Sequence, residues 1–247
     1  MRKFTLLLIL LLGTPLQSQS ISGNWVMGMA RYGYAGNVEA FTAPQMRLHW
    51  AATALGALAV SRLDGWATSD DVRPRIMPEL QAEIGDRWGD PIAAVITLPA
   101  IVLVDRMLGD NSTGDTSQRL EFAIASMLSV GLVTVVTKEL VRRQRPNGSS
   151  HRSFPSGHTS ITFAVAEITR QLYGNAASVP FYLLATNTAL SRIHDNKHYP
   201  SDVVAGAGLG IGIVRGFGIA DAANPSLSVS MKINRKRIAV SFMLSLN

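Results

Sequence analysis

The sequence contains no cysteine. Disulfides and thiolate metal centres are thereby excluded, and cysteine usage is silent on redox compartment. Charged residues are scarce too, at 16% of 247 residues against 47% hydrophobic, which suits a large helical core or weak membrane association. Aromatic residues amount to 7% and are not interleaved with the scattered Lys and Arg, so nucleic-acid binding has little support. No set of carboxylates or histidines is spaced as metal ligands are. The uncharged stretch 122–137 is 16 residues, short of the roughly 18–20 that cross a bilayer, and reads as a buried bundle helix. What charge there is sums to +6, a sign suited to anionic substrates or membrane surfaces.

The length allows one sizeable domain with short appendages. Met1-Arg2-Lys3, a leucine-rich core over 4–12, a break at Gly13-Thr14-Pro15 and small residues at Ser18-Gln19-Ser20 read as a secretory signal over 1–20. The protein is therefore expected to be exported to a periplasm-like space, soluble or peripheral to the membrane. Residues 21–224 form the expected helical domain. Its first part, 21–48, lacks clean periodicity and predicts an irregular arm or short helices. Helices are expected over 49–63, 77–84, 91–104 (interrupted by Pro99), 118–143, 158–173, 178–193 and 198–219, with a loop over 109–115. His49 reads as an ordinary half-buried histidine. Gly206, Gly208, Gly210 and Gly212 permit close helix contact; no strand precedes them, so they are not a nucleotide loop. Over 225–247 the apolar period changes to two on either side of Asn234-Arg235-Lys236, which predicts a small C-terminal β-hairpin with one apolar face.

Three stretches carry chemistry. Pro155-Ser156-Gly157-His158 precedes an apolar run and predicts a tight turn opening a buried helix. Ser156 is placed to cap the first amides, Gly157 allows close backbone approach, and a helix start is a ready anion site. His158 sets a proton donor beside that anion. Upstream, Lys138 and Arg145 are seven apart and share a face if the helix runs that far, and Pro146 ends it. Arg142 and Arg143 read as solvated charges complementing the helix dipole. His151, in the polar loop 147–154, reads as solvent-exposed. Downstream, His198 and Asp202 are four apart, so one helical turn would join imidazole and carboxylate, with Pro200 suited to the first turn. An Asp holding one ring nitrogen leaves the other free as base, nucleophile or ligand.

Together these stretches supply three cations (Lys138, Arg145 and, in Ser191-Arg192 just upstream of His198, Arg192), an amide-lined turn and two histidines. That set can transfer a phosphoryl group without a metal: Lys and Arg neutralise the oxygens, one His attacks and the other protonates the leaving group. The pattern Lys-x6-Arg-Pro, Pro-Ser-Gly-His, then Ser-Arg-x5-His-x3-Asp resembles the type-2 phosphatidic acid phosphatase superfamily, which includes bacterial acid phosphatases and vanadium haloperoxidases. Every signature position is present in order, across roughly residues 115–220. The resemblance implies that Lys138, Arg145 and Arg192 bind phosphate oxygens, with Ser156 and the Gly157 amide completing the cradle. It further implies His198 as nucleophile through a phosphohistidine, Asp202 as its orienting partner, and His158 as general acid.

The expected fold is thus a mostly α, single-domain helical bundle of the phosphatase and haloperoxidase type, plus the hairpin. The expected function is hydrolysis of phosphate monoesters or pyrophosphates, lipid phosphates among them, with no metal or organic cofactor. The expected partner is a phosphorylated small molecule or lipid, with peripheral membrane contact and no nucleic acid. A vanadate-dependent haloperoxidase is one alternative, disfavoured because the enzymes it would resemble are much larger. A non-catalytic phosphate or head-group binder is another, but binding alone needs neither His198 with Asp202 nor His158.

Overall fold

In the computed structural model of the chain, the residues described are 23–65, 76–90, 96–97, 113–223, 231–234 and 237–240. In order come α1 (Gly23–Thr42), α2 (Met46–Val60), a 3-10 turn (Ser61–Leu63), α3 (Glu79–Trp88), α4 (Thr113–Val141), α5 (Gly157–His194) and α6 (Pro200–Ala223). The signal expected over 1–20, the helix over 91–104 but for residues 96–97, and all of the 109–115 loop except residues 113–115 lie outside the described residues. Two short strands, β1 (Met231–Asn234) and β2 (Arg237–Val240), pair antiparallel with Asn234 opposite Arg237. The apolar face expected over 225–247 falls on residues whose side chains are not among those described.

The helix α6 is the axis of the bundle, packed by α1, α2, α4 and α5. Its sequence explains why four neighbours fit. Ile213, Val214 and Phe217 are fully buried and meet Tyr32, Phe122, Val130 and Ile168 in one core cluster. Burying each such side chain contributes about 1.5–3 kcal/mol. The glycines between them let neighbouring backbones approach. A Cβ at Gly206 would lie 2.6 Å from the Ser156 carbonyl oxygen, and one at Gly210 would lie 2.2 Å from that of Ser160. Close contact, as expected of these glycines, is what sets α6 directly beneath the start of α5.

The 38-residue α5 is two arms. Gly174 breaks it with φ 85° and ψ 177°, backbone angles that side-chain-bearing residues rarely adopt. The arms run back along each other, since the Phe163 and Tyr182 rings lie 6.0 Å apart and the Tyr182 hydroxyl donates to Glu167. In one straight helix, residues 19 apart would be separated by about 28 Å. The expected pair of helices over 158–173 and 178–193 is thus present, and both outer ends reach the same end of the bundle.

Several expectations are corrected. Residues 23–42 are one continuous 20-residue helix, where an irregular arm or short helices were expected. Small residues hide its periodicity: a Cβ at Gly36 would overlap the Phe217 ring, and Ala40 lies against Gly216, so close packing against α6 replaces an apolar stripe. The helix expected over 118–143 ends at Val141, where Arg142 turns the chain with φ 49°. Arg145 is therefore on a loop, and sharing a helix face with Lys138 is not what unites them. The last helix begins at Pro200, so His198 precedes it. By length and composition Gln118–Val141 and Pro200–Ala223 are apolar enough to cross a membrane, more than the 16-residue count suggested. Most of α6 is buried, whereas α4 turns Leu128, Leu132, Val135, Val136 and Leu140 outward.

Candidate active site

The outer ends of both arms of α5, the exit of α4 and the entry to α6 meet at one end of the bundle. Ser156 is the residue before α5, and its backbone N–H donates to the Asp202 carbonyl at 3.0 Å. Its side chain does not cap the helix, contrary to expectation; the Oγ instead accepts from Thr159 Oγ1 at 3.0 Å. The helix start is left without that side-chain cap. Lys138 comes against this turn. Its Nζ donates to the carbonyls of Arg152 (2.8 Å) and Pro155 (2.6 Å), and its Cε would lie 3.6 Å from a Cβ at Gly157. Burial, then the neighbouring Arg145 charge, push its pKa down to about 8.

Arg145 is placed by its loop, its N–H bonded to the Ser150 carbonyl at 2.9 Å and its own carbonyl accepting from Gly148 at 3.0 Å. Arg192 stands at the end of the second arm, its side chain 4% exposed. Burial lowers the pKa of both guanidinium groups, that of Arg192 to about 10. Arg145 Nε and Arg192 Nε are buried without a hydrogen-bond partner among the described residues. Buried donors without partners are costly, so two such groups beside a helix start point to an anion as the missing acceptor.

The histidines follow. The Arg192 carbonyl accepts from the backbone N–H of Lys197 (3.1 Å) and of His198 (3.2 Å), which fixes His198 beside that cation. The His198 ring is 2% exposed, with Nδ1 3.7 Å from Asp202 Oδ2. That is longer than a hydrogen bond, and catalytic contacts often tighten only with substrate bound. Desolvation lowers the His198 pKa to about 4 against the pull of Asp202, so its ring is neutral near pH 7. Asp202 is fully buried and its pKa is lowered, since its hydrogen bonds and Arg143 outweigh desolvation. His158 is half-buried, its Nε2 3.9 Å from Asp86 Oδ1. Its pKa is lowered by desolvation first, then by Lys197, Arg145 and Lys138. This direction runs against an imidazolium at neutral pH. An arriving phosphate would oppose those cations and raise it.

All eight residues singled out from the sequence therefore gather at one end of the bundle. Others were missed. Asp86, from α3, pairs with Arg192 and lies 3.3 Å from Lys197 Nζ. Arg143 is no solvated helix-end charge, for it reaches Asp202 and Asp64, each at 2.8 Å. Ser153 Oγ donates to Asp202 Oδ2 at 2.5 Å. Asp64 and Asp86 left no local signal, because their partners are remote in sequence. Arg143 did leave one, as one of three arginines inside the Lys138–Arg145 segment. His151 is exposed and His49 is half-buried with Nε2 2.8 Å from the Gly208 carbonyl, both as expected. Among the described residues no three His, Asp or Glu side chains gather as a metal site would need.

The protein is thus a helical bundle with a cluster of cationic side chains and histidines at one end. The model of the PAP2 superfamily matches residues 120–220, the segment that contributes these groups. A decaprenylphosphoryl-5-phosphoribose phosphatase of Mycolicibacterium smegmatis is 34% identical over 139 residues, 46% of this chain and 76% of that protein. The chain belongs to the PAP2 superfamily. It is also similar to a lipid A 1-phosphatase of Porphyromonas gingivalis, 44% identical over 72 residues, 28% of this chain and 16% of that protein. A decaprenylphosphoryl-5-phosphoribose phosphatase of Mycobacterium tuberculosis is 42% identical over 88 residues, 32% of this chain and 48% of that protein. The chain thus spans less than half the length of these two relatives. The crystal structure of Aquifex aeolicus LpxE aligns with TM-score 0.46 and 18% identity, covering 66% of this chain and 94% of that one.

Proposed function

We propose that the protein is a phosphatase acting on lipid phosphates through a phosphohistidine on His198, with no metal in the reaction. One observation carries this reading. His198, His158, Lys138, Arg145 and Arg192 converge on an uncapped helix start, with two buried guanidinium donors unpartnered. The lipid preference is supported by the names of the relatives and by the outward Leu132, Val136 and Leu140 of α4, the helix that also carries Lys138. A lipid could rest its chains on that face while its phosphate enters the cradle. The contact is then with the hydrocarbon edge of the bilayer, a closer association than the soluble or peripheral state expected from the sequence.

The neutral ring of His198 attacks phosphorus with its Nε2 lone pair while the bond to the leaving oxygen breaks. Lys138, Arg145 and Arg192, with the first amides of α5, hold the three non-reacting oxygens. The proton on His158 goes to the leaving oxygen, which departs as an alcohol or a phosphate. Water then attacks the phosphohistidine, His158 takes its proton, and phosphate leaves with the electron pair restored to His198. Asp202 steadies the positive charge His198 carries in between.

The test is phosphate release from a panel of soluble and lipid phosphates, together with rapid-quench trapping of phosphoenzyme. Acid-labile, base-stable label on a peptide containing His198, lost in His198→Ala together with turnover, is expected. Label on His158, or turnover by His198→Ala, would overturn the assignment. Release from soluble esters only would overturn the lipid preference alone.

A further inference from the structure

Arg143 holds an unusual position for a charge just beyond a helix end. Its Nη1 donates to Asp202 Oδ1 at 2.8 Å and to Ser201 Oγ at 2.7 Å. Its Nη2 donates to Asp64 Oδ2 at 2.8 Å, and its Cζ sits over the Tyr199 ring, 3.9 Å from the ring centre. Asp64 in turn accepts from the Ser201 N–H at 3.1 Å and from Ser201 Oγ at 2.6 Å. Asp64 follows the turn after α2, Arg143 follows α4, and Ser201 and Asp202 open α6. Three remote segments are thus closed on one guanidinium.

The effect on Asp202 is directional. Arg143 engages Oδ1, while Oδ2 receives Ser153 Oγ and the Tyr199 N–H at 3.0 Å and is the oxygen nearest His198 Nδ1. Rotation of the carboxylate would break all of these contacts at once. A planar fork pinned by a second carboxylate and stacked on a ring has little freedom to follow such a rotation.

We infer that Arg143 and Asp64 are positioning residues for the phosphoryl-transfer step: together they lock the Asp202 carboxylate in the orientation that aims His198. The inference rests on the phosphatase reading above, in which His198 is the nucleophile. Neither residue touches substrate, so their loss should slow attack without loosening the grip on phosphate.

The full-length protein in detergent micelles, with p-nitrophenyl phosphate and a phosphatidate as substrates, supplies the test. In Arg143→Gln and Asp64→Asn, phosphoenzyme formation by rapid quench should slow about 10- to 100-fold, as for other groups that orient a reacting ligand. The inhibition constant for inorganic phosphate should stay within about threefold, since the cradle is untouched, and the double variant should be little worse than Arg143→Gln because the two act as one unit. Wild-type rates, losses that multiply in the double variant, or phosphate affinity falling in step with the rate would each overturn the inference. If Arg143→Gln does not fold, Asp64→Asn decides the matter, because its amide keeps one acceptor oxygen for the Ser201 N–H. A rate loss there no larger than its unfolded fraction would mark the pair as structural and overturn the positioning role. Absence of turnover by the unmodified protein would instead refute the phosphatase reading itself.

Discussion

Gly206→Ala offers a sharp test of how the bundle sets its site. The new Cβ would lie 2.6 Å from the Ser156 carbonyl oxygen and 3.2 Å from Ser160 Oγ. Ordinary contact begins at 3.4 Å, so helix and turn must part by about 0.8 Å. The obstacle is backbone and cannot rotate away. Overpacking of this kind costs about 1–3 kcal/mol, offset by about 0.5–1 kcal/mol of improved helix propensity. The expected net is a loss of about 1–2 kcal/mol, or a Tm lower by about 2–8 °C for a chain of this size. Activity should suffer more. The displaced turn carries Ser156, Gly157 and His158, while α6 carries Asp202, so the two halves of the site move apart. Misplacement by about 1 Å can cost about 100-fold in rate, and a fall in kcat of about 10- to 100-fold is expected here. Gly131→Ala is the control: nothing lies within 4 Å of its Cβ, so it should gain stability and keep full activity. Steady-state kinetics and thermal melts on both variants suffice. Wild-type kcat in Gly206→Ala, or equal damage from Gly131→Ala, would refute the reasoning.

Other outcomes follow from the same geometry. In the proposed mechanism turnover needs His198 neutral and His158 protonated; kcat/KM should therefore fall below about pH 4, the His198 pKa, and fall again as pH rises through a His158 pKa lowered from 6.5, giving an acidic optimum in a pH–rate profile. A flat profile from pH 5 to 8 would contradict these roles. The three cations predict that activity survives exhaustive chelation and is lost to vanadate, a five-coordinate mimic, with magnesium-restored activity as the contrary result. Leu132→Asp with Leu140→Asp should weaken flotation with phospholipid vesicles and depress turnover of a lipid phosphate, while p-nitrophenyl phosphate hydrolysis is spared. Unchanged flotation would remove that face from the lipid contact.

Much of the site was legible because its groups lie in short segments whose spacing survives any packing. Lys138, Arg145, His158, His198 and Asp202 were marked by type and interval. The reasons given for their proximity fared less well. Arg145 and His198 are held by loops, and hydrogen bonds to the carbonyls of Ser150 and Arg192 do what a shared helix face was expected to do. Asp64 and Asp86 were invisible because a lone Asp acquires meaning only from remote partners. The helix α1 was misread for a related reason: a surface of Gly and Ala that fits under Phe217 has no hydrophobic rhythm, and only its tertiary neighbour explains it.

The reversal at Gly174 has a practical consequence. Residues 174–177 are exposed at the far end of the bundle from the histidines. Exposed tips are where chains best tolerate cuts and insertions. A protease site introduced there would split the PAP2 segment into one piece bearing His158 and another bearing His198, each chemically inert alone. The pair would work only while the two arms stay zipped together, which makes this tip a natural seam for a split reporter whose signal is phosphate release.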